Sequence, residues 1–310
     1  MLRRAALAIA ALAIVCAALA WFLSAPEPLT AAQLPTHEPD LANGERIFYA
    51  GGCSSCHAAP DADGEDKLKL GGGRELVTDF GTFRVPNISP DPETGIGGWS
   101  TLDFVNAVMR GVSPGDAHYY PALPYPSYIR LRIEDVIDLK AFMDTLPPVS
   151  NRVAGHELRF PFNIRRGIGI WKRLYLSPDP VLDFTDPSDA VERGQYLVEG
   201  AGHCGECHTS RDALGGLKLR EWLAGAPNPE GRGTIPNITP DAEGLTWSEN
   251  EIIDLFQTGF KPDFDTLGGS MASVQRNLAH LPDGDLQAIA AYLKAVPPLP
   301  DAVQPNAASK

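Results

Sequence analysis

The chain opens on an unbroken apolar run. Two arginines, Arg3 and Arg4, precede the 19 uncharged residues 5–23, AALAIAALAIVCAALAWFL. That length is close to the roughly 20 residues that cross a bilayer, and the basic end marks the side that stays in the cytoplasm. The run is longer than most signal-peptide cores, so an uncleaved anchor is preferred over a signal removed after Ala20 or Ala25. Trp21 falls at the far interface, and Cys16 reads as lipid-facing filler. Under either reading the remainder of the chain is exported.

Beyond the run, apolar positions recur with helical rather than strand spacing, and few stretches alternate. NGERIFYAGG (43–52) and VERGQYLVEGAG (191–202) are short amphipathic runs that end in glycine. Ser100 with Asp103, and Ser248 with Glu251, have the spacing of a capping box at a helix start. Val136, Leu139, Phe142 and Met143, like Leu286, Ile289, Ala290 and Leu293, mark the buried faces of two helices that stop at Pro-Pro. An all-α fold class follows.

These runs come in pairs because the chain repeats itself. CSSCH (53–57) is matched by CGECH (204–208), VPNISPD (85–91) by IPNITPD (235–241), Trp99-Ser100 by Trp247-Ser248, and residues 131–149 by 281–299. The offsets are 151, 150, 148 and 150 residues. The predicted organisation is an N-terminal anchor or signal with its linker (1–36), a first domain (37–150), a structured connector (151–188), a second domain (189–300) and a tail (301–310). The connector contains LRFPFNIRRGIGIWKRLYL, too apolar and aromatic for a free linker, and is expected to pack along both domains.

Each repeat carries one C-x-x-C-H, the attachment pattern of c-type haem in an exported protein. Two cysteines add to the haem vinyl groups and the adjacent histidine meets the iron from the proximal side. Cys53, Cys56 and His57 are therefore candidates to hold one haem, and Cys204, Cys207 and His208 a second: two covalently bound haem c. A redox dithiol does not require the histidine, and a zinc site needs four ligands from a chain with only five cysteines. Pro86 and Pro236 are candidates to accept the N–H of the proximal histidines, or simply to form turns. Trp99 and Trp247 are candidates to reach a propionate or to cap a core.

The sixth iron position separates electron transfer from ligand chemistry. Met109 and Met143 fall on buried helical positions. Met271, in GGSMASV, lies in a small-residue loop between two predicted helices and is the candidate distal ligand of the second haem. Twelve residues separate it from Gly259, and twelve separate Leu123 from the matching Gly111. Leucine cannot bind iron, so the first haem either takes another ligand or has an open face. His118, five residues before Leu123, is the nearest replacement, with an ordinary loop role as its alternative. His203 abuts Cys204, and His280 precedes the last helix as a capping or hydrogen-bonding residue.

Formal charge is −13, and the two arginines at the start leave −15 on the exported part. That excludes a nucleic-acid-binding face and suits long-range attraction to a basic soluble partner.

RGQYLVEGAGHCGECHTSRDALGG, the PNITPD segments, FPFNIRRGIGIWK and MASVQRNLAHLPDGDLQAIAAYL resemble the multihaem cytochrome c subunits of membrane-bound alcohol and gluconate dehydrogenases. The resemblance implies tandem class I-like cytochrome c domains and a subunit on the periplasmic side of the bacterial inner membrane. It implies electron transfer from a partner dehydrogenase towards quinone, a soluble cytochrome or a terminal oxidase. Those subunits usually read PAMPY in the first-domain loop, with Met as ligand, where this chain has PALPY; and they carry three haem motifs where this chain has two. The competing functions are a dihaem peroxidase-like enzyme with an open first haem, for which Leu123 is the only support, and a small-ligand sensor, for which no signalling domain is present.

Overall fold

The computed structural model describes residues 1–228 and 233–303; residues 304–310 of the expected tail lie outside them. The helices are α1 (Leu2–Leu23), α2 (Leu41–Ala50), α3 (Cys53–His57), α4 (Thr101–Val105), α5 (Tyr125–Tyr128) and α6 (Ile133–Met143). They continue with α7 (Gly167–Tyr175), α8 (Asp189–Tyr196), α9 (Gly205–His208), α10 (Glu249–Thr258), α11 (Gly269–Leu278) and α12 (Asp283–Ala295). Strands β1 (Glu75–Thr78), β2 (Gly81–Arg84) and β3 (Glu157–Leu158) form one small antiparallel sheet, and β4 (Ala226–Pro227) pairs with β5 (Thr234–Ile235). The fold is mostly helical, and these strands are too short for alternation to announce them.

In each repeat the first and last helices cross at a glycine. A Cβ on Gly44 of α2 would lie 2.1 Å from the Asp138 carbonyl oxygen on α6, and one on Gly194 of α8 would lie 1.9 Å from that of Ala288 on α12. The two glycines stand 150 residues apart and admit the same close backbone approach. Around the crossings Ile47, Phe48, Val136 and Met143, and in the second repeat Leu197, Leu286, Ile289 and Leu293, are buried.

Both predicted capping boxes are present: Ser100 and Asp103 at α4, Ser248 and Glu251 at α10. α4 runs on through a π-helical turn, Asn106–Arg110, and α8 through another, Leu197–Ala201. Gly111 (φ 58°) and Gly259 (φ 81°) turn the chain out of the middle helices in left-handed conformations.

The connector packs on both repeats. β3 extends the first-repeat sheet, whereas Tyr175 donates to Asp212 at 2.7 Å and Trp171 Nε1 to the Leu214 carbonyl at 2.9 Å. Further on, the backbone N–H groups of Val181 and Leu182 donate to the buried carboxylate of Glu199. α1 has no buried residue and is long and apolar enough to cross a membrane. Its end is docked: Gly169 of α7 lies against Ser24, where a Cβ would come within 2.3 Å of the Ser24 carbonyl oxygen.

Candidate haem-attachment sites

Each C-x-x-C-H motif begins where a left-handed residue turns the chain out of the preceding helix. Gly52 (φ 56°) does this before Cys53 and His203 (φ 39°) before Cys204. A single helical turn then carries the rest of the motif, α3 in the first repeat and α9 in the second, so the two cysteines three residues apart share a face. All five cysteines of the chain are outside any disulfide. Loss of solvation, reinforced by the second cysteine of each motif, pushes the Cys53 and Cys204 thiols up to about 12.

His57 Nδ1 lies 2.8 Å from the carbonyl oxygen of Pro86, and His208 Nδ1 lies 2.8 Å from that of Pro236. A carbonyl only accepts, so Nδ1 carries the proton and the Nε2 lone pair is left for a metal. Desolvation favours this neutral form, lowering His57 to about 4 and His208 in the same direction, against the opposing pull of the proline carbonyls. Two thiols on one face and an imidazole with its Nδ1 already engaged fit a covalently attached haem.

The repeated PNISPD and PNITPD segments acquire a purpose here. Asn87 Nδ2 donates to the Val149 carbonyl at 2.6 Å, and Asn237 Nδ2 to that of Leu299 at 2.8 Å. Each asparagine Oδ1 accepts from the backbone N–H two residues on, at Ser89 and Thr239. The buried asparagine thus staples the proline loop to the chain after the last helix and holds the carbonyl against the histidine.

The distal residues are placed differently from the sequence expectation. Met271 sits in the first turn of α11, partly buried against the core, rather than in a loop. Tyr125 closes over Gly111 as Gln275 closes over Gly259. Fourteen residues separate the first pair and sixteen the second, so Met271 stands opposite Leu123 when counted from the glycines and opposite Pro121 when counted from the helices.

His118 has another partner. It is buried, and its Nε2 donates to the Ser24 carbonyl at 2.9 Å, beyond the end of α1, where helix carbonyls lack intrahelical donors. Desolvation lowers its pKa, and its Nδ1 is buried without a hydrogen-bond partner. The structure therefore ties His118 to the N-terminal helix instead of bringing it to the first attachment site.

The two attachment segments meet across the interface between repeats. Asn277 of α11 donates through Nδ2 to Ser55 Oγ at 2.9 Å and accepts through Oδ1 from Ser54 Oγ at 3.1 Å. In the mirror position Ser127 of α5 donates to Glu206 Oε1 at 3.0 Å. His203 Nε2 reaches the Gly51 carbonyl at 3.2 Å, and its ring packs edge-on against Tyr128. His280 stacks on Tyr49 with centroids 4.0 Å apart. The helix that follows each distal loop therefore packs on the C-x-x-C-H segment of the other repeat.

Residues 41–147 match the cytochrome c family. A diheme c-type cytochrome of Cereibacter sphaeroides is 57% identical over 258 residues, covering 83% of this chain and 86% of that protein. The chain belongs to the cytochrome c family. As such it carries covalently bound haem c and transfers electrons. The cytochrome is also 35% identical to the fructose dehydrogenase cytochrome subunit of Gluconobacter japonicus over 277 residues, 87% of this chain and 55% of that one. With the cytochrome c subunit of gluconate 2-dehydrogenase from Pantoea cypripedii it shares 35% over 263 residues, 82% and 58% of the two chains. It thus spans little more than half the length of those two dehydrogenase subunits.

Sequence reasoning missed the interface residues of the cytochrome. Asn277 and Ser127 belong to no motif, and Glu206 fills a variable position of the second C-x-x-C-H. Ser127 and Asn277 nevertheless sit 150 residues apart, and Ser55 and Glu206 sit 151 apart, so matched positions in the repeat were the available signal. His280 was expected to cap or hydrogen-bond, but its flat ring stacks on Tyr49 across the interface instead.

Proposed function

We propose that this cytochrome is a two-haem relay on the periplasmic side of the bacterial inner membrane, anchored by residues 5–23. Cys53, Cys56 and His57 hold one haem c; Cys204, Cys207 and His208 hold the other. Met271 is the distal ligand of the second. Haem iron supplies the one-electron chemistry, and the protein positions it. The relay takes electrons from a partner dehydrogenase and delivers them to a soluble cytochrome, quinone or a terminal oxidase.

The observation that carries this reading is the reciprocal packing of α5 and α11 on the opposite attachment segments. It sets the two haem-bearing segments against one interface, as exchange between haems requires. The similarity to fructose and gluconate dehydrogenase cytochrome subunits supports the dehydrogenase as electron source. Haem quantitation by the pyridine haemochrome, followed by a two-wave redox titration, tests it. Two haems per chain and reduction by a membrane dehydrogenase are expected; one haem, or two that titrate without any dehydrogenase reducing them, would overturn it.

One observation favours a second reading, a peroxidase-like first haem. His118 Nε2 is engaged by the Ser24 carbonyl, and Leu123 offers no donor atom. Carbon monoxide binding to the fully reduced protein separates the two. Rapid binding at one haem of two supports an open iron in the first repeat, and absence of binding supports the pure relay.

A further inference from the structure

The connector carries an exposed apolar and basic surface that the relay does not explain. Between Leu158 and Pro178 it has five basic residues, Arg159, Arg165, Arg166, Lys172 and Arg173, and no acidic one, in a chain of net charge −13. Its apolar side chains face outward: Phe160 is 79% exposed, Ile164 52% and Leu174 63%, with Phe162 and Ile170 also open. On α7, Ile170 and Leu174 are one turn apart on the outer face, while Gly169 and Lys172 are buried on the inner one. Apolar side chains on one side and arginines around them are the signature of a segment lying in a membrane interface.

The position of α1 says which surface covers it. The Arg166 guanidinium lies 4.3 Å from the centre of the Trp21 ring, donates to the Trp21 carbonyl at 2.8 Å and to Ser24 Oγ at 2.9 Å. Arg173 donates to the Leu23 carbonyl and to Glu27 Oε1, and Gly169 lies against Ser24. α7 is thereby bound to the residues at which α1 leaves the bilayer, and Ile170 is the next residue after the contact. A nine-residue helix spans only about 13 Å at 1.5 Å per residue, so its outer face stays close to that exit point.

We propose that residues 159–176 form a second membrane contact, with Phe160, Phe162, Ile164, Ile170 and Leu174 inserted among the headgroups of anionic phospholipid beside α1. The inference rests on the reading of α1 as a retained membrane anchor. Arg166 and Arg173 hold the anchor, and the exposed Arg159 and Arg165 meet lipid phosphates. Two attachments, one spanning and one flat, fix the orientation of the haem-bearing repeats over the membrane rather than leaving them on a swivel.

The test uses the full-length, haem-loaded protein in nanodiscs of phosphatidylethanolamine and phosphatidylglycerol containing a diazirine-bearing phospholipid, with adducts mapped by peptide mass spectrometry. Adducts are expected on α1 and on residues 159–176, and not on the also exposed Phe260 and Phe264, the latter flanked by Asp263 and Asp265. I170D/L174D should cut the connector adducts several-fold with those on α1 and the visible spectrum unchanged. Labelled α1 with an unlabelled connector sinks the proposal and leaves the anchor standing. If neither is labelled, the anchor reading itself fails. Cross-linking of the connector to a protein in native membranes, with no lipid adduct, would make it a protein-docking surface and overturn the proposal.

Discussion

Ser127 and Asn277 occupy the same place in the two repeats, and each reaches over to the attachment helix of the other. The pairing survives a change of chemistry. Ser127 donates to a carboxylate, Glu206, whereas Asn277 bridges two hydroxyls, Ser54 and Ser55. Asn277 is buried with both ends engaged, so the first prediction concerns it. N277A should destabilise the folded protein by about 1–3 kcal/mol, the range for removing a partner of buried polar groups. S127A, which removes a single bond, should cost less. Chemical denaturation followed by the haem absorbance measures both, and equal costs would contradict the asymmetry of the two contacts.

The distal positions make opposite predictions. L123M should supply a sulfur to the first iron, abolish any carbon monoxide binding there and raise its reduction potential. M271A should open the second iron to carbon monoxide. Visible and magnetic circular dichroism spectra of the reduced proteins identify the thioether bond. Insensitivity of the second haem to M271A would remove Met271 as its ligand.

The asparagine staple predicts coupling between a loop and an iron. N237A frees the loop that holds the Pro236 carbonyl against His208 and takes from the Leu299 carbonyl the nearer of its two donors, leaving Thr239 Oγ1 at 3.2 Å. Loss of stability of about 1–3 kcal/mol is expected, together with a shift in the potential of the second haem alone. N87A should do the same for the first. Redox titration resolved by haem distinguishes this from general loosening, which would move both potentials together.

Asp138 predicts an acid limb. Burial pushes its carboxyl up, but the Asn43 amide, the Asp40 N–H and His37 Nε2, at 2.8, 2.8 and 2.6 Å, outweigh burial and hold it below the ordinary value. A carboxyl depressed in the folded state releases its proton more readily there than in the unfolded chain. Its contribution is therefore complete above about pH 4–5, where the unfolded carboxyl is ionised. It is lost as pH falls through the lower, folded value. D138N should flatten the pH dependence of the melting temperature in that acidic window, and an unchanged slope would assign the limb to other groups.

Much of this architecture was legible in the sequence because the repeat displays it twice. The capping boxes at Ser100 and Ser248 and the buried spacing of α6 and α12 depend on neighbours three and four residues away, which periodicity reports directly. The proline carbonyls were visible as candidates, since a shared motif some thirty residues after each C-x-x-C-H invites a common partner. The braces were not visible. Asn277 and Ser55 are separated by 222 residues, and no spacing links the variable position of C-x-x-C-H that Ser55 fills to Asn277. The Nε2 partner of His118 was hidden for a related reason: it is the main chain of Ser24, and a backbone carbonyl leaves no mark in the sequence. Met271 looked like a loop residue because glycines precede it, yet the residues after it propagate a helix.

The span of 222 residues also orders events in time. Exported from its N-terminus, as proposed above, the chain would present Cys53 and Cys56 long before Asn277 emerges, and Ser54 and Ser55 would stand unbraced during that interval. Access for the attachment machinery is widest then, and arrival of α11 closes it. The first haem is thus best installed while the second repeat is still being delivered, and a chain that completes its fold too early shuts its own door.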